Sequence, residues 1–219
     1  MARRLLLLGM VTAALAVAGC GGGKKHASST APVAAPTIPL AKQVLSPSEL
    51  PRVVRSAGVR SSRSPAILVR GLDPLFQPKI LARRFAAAGF RTATLEGIQG
   101  RGKLADTTGG FSAVVKLGSA AGAAAQVTFM HARSLSRCPE VNICDVFWKS
   151  FTVRGVPGAK GSVRYRKVKT ANGPAFRQYY IFFSVGPDAY GEFVGGPYGT
   201  VSEAEFIRGT TSLYDRLRG

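Results

Sequence analysis

The sequence contains few of the side chains that enzymes use most often at their reaction centres. Its 219 residues include two histidines, three cysteines and 11 acidic residues. His26 lies in a polar segment, and His131 lies inside an amphipathic pattern, where a surface or boundary position is favoured over the role of a general base. No Gly-x-Ser-x-Gly element is present, and the acidic residues are scattered along the chain. The sequence therefore predicts no catalytic residue, no cofactor and no metal ligand.

Acidic residues are also scarce relative to basic ones. The chain has 30 lysines and arginines against 11 acids, a formal net charge of +19. The excess is greatest from Arg52 to Arg91, where nine basic residues accompany one acid, Asp73. Such a charge attracts polyanions, and without zinc-finger spacing or an RNP-like sequence we expect no intracellular nucleic acid. Outside a cell membrane, the candidate polyanions are anionic lipid, an anionic cell-wall polymer and extracellular DNA, of which we expect lipid or the polymer. The alternative is compositional, because abundant Arg, Ala and Gly also indicate a GC-rich genome.

Long apolar runs are rare, and the most extended one stands near the N-terminus. Leu5–Gly19 spans 15 residues, whereas a membrane-crossing helix needs about 20. Arg3 and Arg4 precede this run, and Val17-Ala18-Gly19-Cys20 closes it. The arrangement resembles the lipobox signal of bacterial lipoproteins.

The resemblance implies that residues 1–19 are removed and that Cys20 becomes the lipidated N-terminus, carrying palmitate-type acyl chains. It places the protein on the extracytoplasmic face of the cell membrane. An ordinary secretory signal and an uncleaved transmembrane anchor remain as alternatives. Residues 20–41 are rich in Gly, Lys, Ser, Ala and Pro and are predicted to form a disordered linker. Residues 42–219 have the length of one extracytoplasmic domain.

Cys138 and Cys144 form an even pair in a chain predicted to be exported. A disulfide between them would close a ring of seven residues, and Pro139 and Asn142 suit a loop that turns back on itself. The spacing is not that of a zinc site. We therefore predict a disulfide bond.

Capping sequences and apolar periodicity predict alternating helices and strands. Sequential strands joined by short turns favour an antiparallel sheet with helices packed on it, an α+β fold. Arg55–Arg63 is polar and is predicted to be irregular. The predicted helices begin at Ser46, at Asp73-Pro74, at Ser119 and at Ser202, and the predicted strands are 66–69, 90–95, 110–117, 147–153, 162–169, 176–185 and 189–194.

Four short segments of this layout are similar to the small α/β/α domains of actinobacterial cell-envelope lipoproteins and sensor domains, some of which are PsbP-like. They are Ala87–Phe90, Gly118–Ala125, the cysteine pair and Gly155–Ala159. The resemblance implies an envelope protein and names no ligand. Gly97–Lys103 has the glycine and lysine spacing of a phosphate-binding loop, but Leu104 stands where the magnesium-binding hydroxyl is needed, so we interpret it as a basic hairpin loop.

The heaviest concentration of apolar side chains is the aromatic run from Tyr179 to Phe183. In a strand, Tyr180 and Phe182 face one way while Tyr179, Ile181 and Phe183 face the other, which predicts a central strand covered on both faces. Core packing is one interpretation of these rings. The other is a ligand cleft beneath Gly195-Gly196-Pro197 with a cationic rim, although the rim arginines also suit an exposed sheet edge. The residues of this candidate cleft are Tyr180, Phe182, Tyr190, Tyr198, Arg164 and Arg166.

Together these features predict a non-enzymatic, membrane-anchored lipoprotein that binds or senses an envelope component, either anionic lipid or a cell-wall polymer. A structural or accessory partner of a membrane protein complex is the alternative. A hydrolase comes third. The oligomeric state is not predicted.

Overall fold

Antiparallel pairing joins seven strands of the chain into one sheet. The computed structural model describes residues 34–70, 76–135, 146–171 and 173–219. Residues 32–219 belong to a single compact unit. The strands are β1 (Val54–Ser62), β2 (Thr92–Gly100), β3 (Gly109–Lys116), β4 (Phe147–Phe151), β5 (Lys160–Arg166), β6 (Phe176–Val185) and β7 (Asp188–Pro197), in the spatial order β1-β2-β3-β7-β6-β5-β4. The helices are α1 (Pro65–Leu68), α2 (Pro78–Ala87), α3 (Ala120–Ser134) and α4 (Glu203–Arg218).

Helices and loops cover the sheet on both sides. On one side, the front face, Leu68 of α1, Phe85 of α2 and Val127 of α3 belong to one buried cluster with residues of the sheet. On the other side, the back face, Phe206 of α4 and Leu45 belong to a second buried cluster with the opposite side of the sheet. The predicted α+β fold with an antiparallel sheet is confirmed, as are the positions of most strands.

The aromatic strand β6 lies in the interior of the sheet, as its pattern predicts. Tyr180 and Phe182 belong to the front cluster, whereas Tyr179, Ile181 and Phe183 belong to the back cluster. Their exposed fractions are all 3% or less. Alternation along a strand places successive side chains on opposite faces, so an apolar residue at every position requires cover on both.

Capping sequences placed two helices correctly. The Ser119 hydroxyl accepts a hydrogen bond from the backbone N–H of Gly122 at the start of α3, and Ser202 accepts one from Glu205 at the start of α4. Helix α2 is also confirmed, with Gly89 beyond its end at a φ of 74°. The α2 helix begins at Pro78, and the predicted start at Asp73-Pro74 lies outside the described residues.

Three local predictions are wrong. Residues 55–63, predicted to be irregular, form most of β1, because pairing with β2 supplies the order that their polar sequence does not indicate. Residues 66–69, predicted to be a strand, lie mostly in the short helix α1, which Pro65 opens. Ser46-Pro47-Ser48-Glu49 forms a turn instead of a helix, although the Glu49 carboxylate does accept a hydrogen bond from the Ser46 N–H at 2.6 Å.

Two further interpretations change in the folded protein. Strand β5, whose arginines suggested an exposed edge, lies between β4 and β6, and the edge strands are β1 and β4. The first part of Gly97–Lys103 belongs to strand β2, and the remainder enters a 3-10 turn at Gly102–Leu104. Within the described ranges, none of the helices has both the length and the apolar composition to cross a bilayer. The lipidation prediction for Cys20 and the disulfide prediction for Cys138 and Cys144 fall outside the described residues.

Candidate functional site

The basic segment of the sequence folds into neighbouring elements at one end of the sheet. Strand β1 is the edge strand, α1 contacts β1 and β2, and α2 contacts α1. Arg55 of β1 is exposed and donates a hydrogen bond to Gln99. Five further exposed cations, from β1, α2 and the residues that flank α1, form no ion pair with any residue that the structure describes. We call this set the basic surface; its members are Arg60, Arg63, Arg70, Lys79 and Arg83.

Exposed aliphatic side chains accompany these cations. Val59, Ile67 and Ile80 are 50%, 56% and 44% exposed, and they account for three of the five large hydrophobic residues that are exposed in the described part of the chain. On α2, Ile80 lies between Lys79 and Arg83 on the exposed side, opposite the buried pair Leu81 and Phe85. The end of the sheet thus presents both positive charge and apolar surface to solvent.

A groove runs between β1 and α1. It has a volume of about 410 Å³, and Gly97 and Gly110 of the sheet contribute to its lining. Arg60 from β1 and Arg70, which follows α1, both line it. We call it the β1 groove. Because neither arginine has an acidic partner in the described structure, the groove favours an anion.

An apolar cavity adjoins the β1 groove beneath α1 and α2. The cavity and the groove share Leu68, Leu95 and Phe111 as lining residues. The cavity holds about 40 Å³ of free space, and all of its lining side chains are apolar. Its remaining lining residues are Phe76, Leu81, Phe85, Ala113, Val115, Met130, Phe182, Ala189 and Gly191. The charge of this region follows from the sequence, whereas the cavity does not, because it depends on the packing of α1, which was predicted as a strand, and of α2, which was predicted incompletely.

The six residues of the predicted cleft do not share one concave surface. Tyr180 and Phe182 lie in the front cluster, whereas Tyr190 lies in the back cluster with no exposed surface. The Tyr190 hydroxyl donates a hydrogen bond to Gln43 Oε1 at 2.7 Å. Burial raises the pKa of Tyr190, and the nearby Asp188 carboxyl raises that pKa further. Tyr190 is therefore a core residue on the opposite side of the sheet from Tyr180.

The remaining three cleft residues also separate. Tyr198 lies beside Arg177, whose guanidinium carbon is 4.2 Å from the centre of the Tyr198 ring. Arg164 and Arg166 extend over the ring of Phe176, at 5.7 and 5.5 Å from its centre. Arg166 is only 7% exposed and donates a hydrogen bond to the Pro174 carbonyl. The two arginines thus pack as planar groups over an aromatic ring instead of forming an open cationic rim.

A second groove does lie next to Gly195-Gly196-Pro197, where the cleft was expected. It has a volume of about 560 Å³, and Phe176, Phe193 and Gln178 contribute to its lining. The Thr108 hydroxyl at this groove is buried and has no hydrogen-bond partner in the described structure. Several of the predicted residues contact its lining. The Tyr180 ring stacks on Phe193 at 4.9 Å and its hydroxyl donates a hydrogen bond to Gln178, while Arg164 and Arg166 lie over the ring of Phe176.

Carboxyl groups are buried on the back face, away from both grooves. Glu192 is completely buried, and its cross-strand neighbour on β3 is Ser112, which in turn pairs with Glu96 of β2. Burial raises the pKa of Glu192 well above its ordinary value, and the Ser112 hydroxyl opposes the shift. Burial also raises the pKa of Glu96 and of Asp188. No group of three or more metal-ligating side chains occurs in the described part of the chain.

Comparison with known proteins shows the fold. No family model and no curated protein sequence matches the chain. The crystal structure of the extracellular domain of PknH from Mycobacterium tuberculosis is similar, with a TM-score of 0.51 and 14% identity over 81% of this chain and 94% of that one. A putative uncharacterized protein from Mycobacterium smegmatis, the Rv0999 ortholog, has a TM-score of 0.42 and 10% identity over 83% of this chain and 97% of its own. The likeness to the PknH domain shows a shared fold.

Proposed function

We propose that this protein is a non-enzymatic, lipid-anchored binding module on the extracytoplasmic face of the cell membrane, and that its basic surface binds anionic lipid there. The proposal rests on five exposed cations that form no ion pair within the described ranges and that lie beside three exposed aliphatic residues. The lipobox-like sequence ending at Cys20 supports the anchor. The shared fold with a domain described as extracellular supports the location.

The combination of charge and apolar surface favours lipid over a cell-wall polymer. A polyanionic polymer needs only the cations, whereas Val59, Ile67 and Ile80 gain nothing from it. At a bilayer surface, aliphatic side chains enter the boundary between headgroups and acyl chains while the cations stay at the phosphates. Five cations at about 1 kcal/mol each contribute on the order of 5 kcal/mol, which is three to four decades in partitioning.

Attachment to the membrane through Cys20 would make this affinity sufficient to hold the domain against the lipid surface. A domain linked to the membrane through Cys20 meets the lipid surface at a high effective concentration, so binding by the basic surface becomes intramolecular. The domain would then rest on the bilayer with α1, α2 and β1 against the headgroups. High ionic strength would release it without removing the anchor.

Vesicle sedimentation tests the proposal. Residues 20–219 carrying Cys20→Ser, which lack both the predicted apolar signal and the acylation site, are mixed with vesicles of phosphatidylglycerol and phosphatidylcholine or of phosphatidylcholine alone. We expect binding to the anionic vesicles that falls steeply with salt, and a loss of at least about a hundredfold in the variant Arg60→Glu/Lys79→Glu/Arg83→Glu. The matched control is Arg154→Glu/Lys167→Glu/Lys169→Glu, which reverses three exposed cations outside the basic surface. Equal binding to neutral vesicles, or equal losses in the variant and the control, would contradict the proposal.

The accessory-partner alternative has one supporting feature. Strand β4 is an edge strand that pairs with no further strand in the described part of the chain, and its Phe147 is 55% exposed and stacks on Tyr165 at 5.5 Å. An open edge with an exposed aromatic ring suits pairing with another protein. Crosslinking through a photoreactive residue at position 147 in the native cell tests this alternative, and a single recurrent crosslinked protein is the result expected from it.

A further inference from the structure

The floor of the apolar cavity is made of small residues of the sheet. Ala113 of β3 and Ala189 and Gly191 of β7 line the cavity, and Phe182 of the adjoining strand stands beside them. A Cβ atom at Gly191 would lie 3.6 Å from Phe182 Cδ1, which is an ordinary contact distance. The backbone at Gly191 has no positive φ that requires glycine. Neither backbone strain nor a steric conflict therefore requires a residue as small as Gly191 at this position, and the small side chains leave space in the cavity.

The apolar cavity adjoins the positively charged β1 groove. Leu68, Leu95 and Phe111 line both the cavity and the β1 groove, so an apolar path leads from one to the other. Arg60 and Arg70 line the groove, are exposed, and have no acidic partner in the described ranges. An extended molecule with an apolar tail and an anionic head would match this order of surfaces.

We propose that the apolar cavity binds the acyl chain of a single-chain anionic amphiphile, with its headgroup held by Arg60 and Arg70 in the β1 groove. The proposal deepens the proposed function and rests on it, because both arginines line the groove and both belong to the basic surface assigned to the membrane. The shared chemistry is one acyl chain and one anionic group, which either a fatty acid or a lysophospholipid supplies. A membrane-bound protein would take either molecule from the bilayer it rests on.

Entry of a chain requires α1 to move. A cavity of about 150 Å³ holds benzene, whereas this one offers about 40 Å³. Helix α1 has four residues, and Leu68 is its one buried side chain. Displacing α1 therefore costs the buried contacts of Leu68 and of Val69, which follows it, and each methylene of an entering chain replaces part of that apolar contact. Met130, which also lines the cavity, is an adaptable side chain that can follow the shape of a chain.

Competition binding with a fluorescent fatty acid tests the proposal on the protein carrying Cys20→Ser. The probes are oleate, palmitoyl lysophosphatidylglycerol and the zwitterionic palmitoyl lysophosphatidylcholine. We expect oleate or the anionic lysolipid, or both, to displace the fluorescent probe, and the zwitterionic lysolipid to do so at least about tenfold more weakly. The pattern distinguishes the two sources: a carboxylate preference indicates a fatty acid, and a phosphate preference indicates a phospholipid product.

A matched pair of variants locates the chain. Ala113→Val adds two carbons to the cavity floor, and Ala87→Val adds the same two carbons to the exposed side of α2. We expect Ala113→Val to weaken amphiphile binding about tenfold or more and Ala87→Val to leave it unchanged. Gly191→Ala, with an ordinary contact distance to Phe182, provides a second cavity variant if Ala113→Val folds poorly.

The same variants separate the two proposals. Ala113→Val should keep its binding to anionic vesicles, since the basic surface is intact. Vesicle binding without displacement by either anionic amphiphile would overturn the cavity proposal and leave the proposed function standing. Amphiphile binding without vesicle binding would overturn the proposal that the basic surface binds the membrane, and it would support the proposal that the cavity binds an acyl chain. Equal displacement by the zwitterionic and anionic lysolipids would overturn the role of Arg60 and Arg70.

Discussion

Arg216 of α4 forms a two-point ion pair with Glu49, through Nη2 to Oε2 at 2.8 Å and Nε to Oε1 at 3.1 Å. The same guanidinium donates to the carbonyl of Val44 at 2.9 Å and to that of Lys42. Glu49 is only 6% exposed at its side chain. Arg216 therefore connects residues 42–50, which follow the predicted membrane linker, to α4, the last helix of the domain.

Replacement of Arg216 should destabilise the protein. Arg216→Met leaves the buried Glu49 carboxylate and two carbonyls without their donor, and a loss of about 3 kcal/mol in the free energy of unfolding is expected. Urea denaturation measures it. The double variant Arg216→Met/Glu49→Gln should recover part of the loss, because the uncompensated charge is gone. Additive losses in the double variant would show that the pair is not coupled.

The stability of the protein should fall as pH rises because of Glu192. Burial raises its pKa, so the folded state keeps a proton that the unfolded chain releases above about pH 5. Since the unfolded state then binds fewer protons than the folded one, each increase in pH favours unfolding. Glu192→Gln does not titrate, so its melting temperature relative to the unmodified protein should rise from pH 5 to neutral pH. A difference that is constant with pH would contradict the buried, protonated state.

A close contact between α4 and residues 42–50 makes Gly209 intolerant of a side chain. A Cβ atom there would overlap the Glu49 carbonyl oxygen at 1.9 Å. Gly209→Ala should lower the free energy of unfolding by about 1–3 kcal/mol, although alanine is the better helix former by about 1 kcal/mol. Ser212→Ala, at an exposed position of the same helix, is the control and should change stability little. A stabilised Gly209→Ala variant would show that the contact is looser.

Cys20 should carry lipid in the cells that export this protein. Metabolic labelling with an alkyne fatty acid should mark the protein, and Cys20→Ser should remove the label because serine supplies no thiol to the lipid-transferring enzyme. Cys138→Ser is the matched cysteine control and should remain labelled. Label that persists in Cys20→Ser would contradict the lipoprotein assignment and, with it, the tether on which the proposed function relies.

Local sequence was sufficient to predict an element where the residues that stabilise that element lie within the same segment of the chain. The hydroxyls of Ser119 and Ser202 cap α3 and α4 with donors three residues away, so the capping sequence alone located both helices. The alternation from Tyr179 to Phe183 likewise predicted a strand covered on two faces, because each side chain must be buried on one face or the other. The antiparallel α+β fold followed from short turns between consecutive strands.

Local sequence patterns could not predict strand β1 or the arrangement of the candidate cleft residues. Residues 54–62 are mostly polar and exposed, and they become a strand only because β2 offers a hydrogen-bonding edge. The six candidate residues do not form one cleft, because Tyr190 and Tyr180 lie on different strands and the register between β6 and β7 places their side chains on opposite faces. Register is a property of two strands together, so neither strand's sequence reveals it.

The sequence by itself determined the charge, the predicted export signal, the helix caps and the two-sided burial of β6, because each depends on residues close together in the chain. Only the tertiary structure decided which aromatic rings share a face, how α1 and α2 enclose an apolar cavity beside Arg60 and Arg70, and that Arg216 holds Glu49 across the domain. Those features join segments far apart in sequence, and their energies depend on distances that only packing sets.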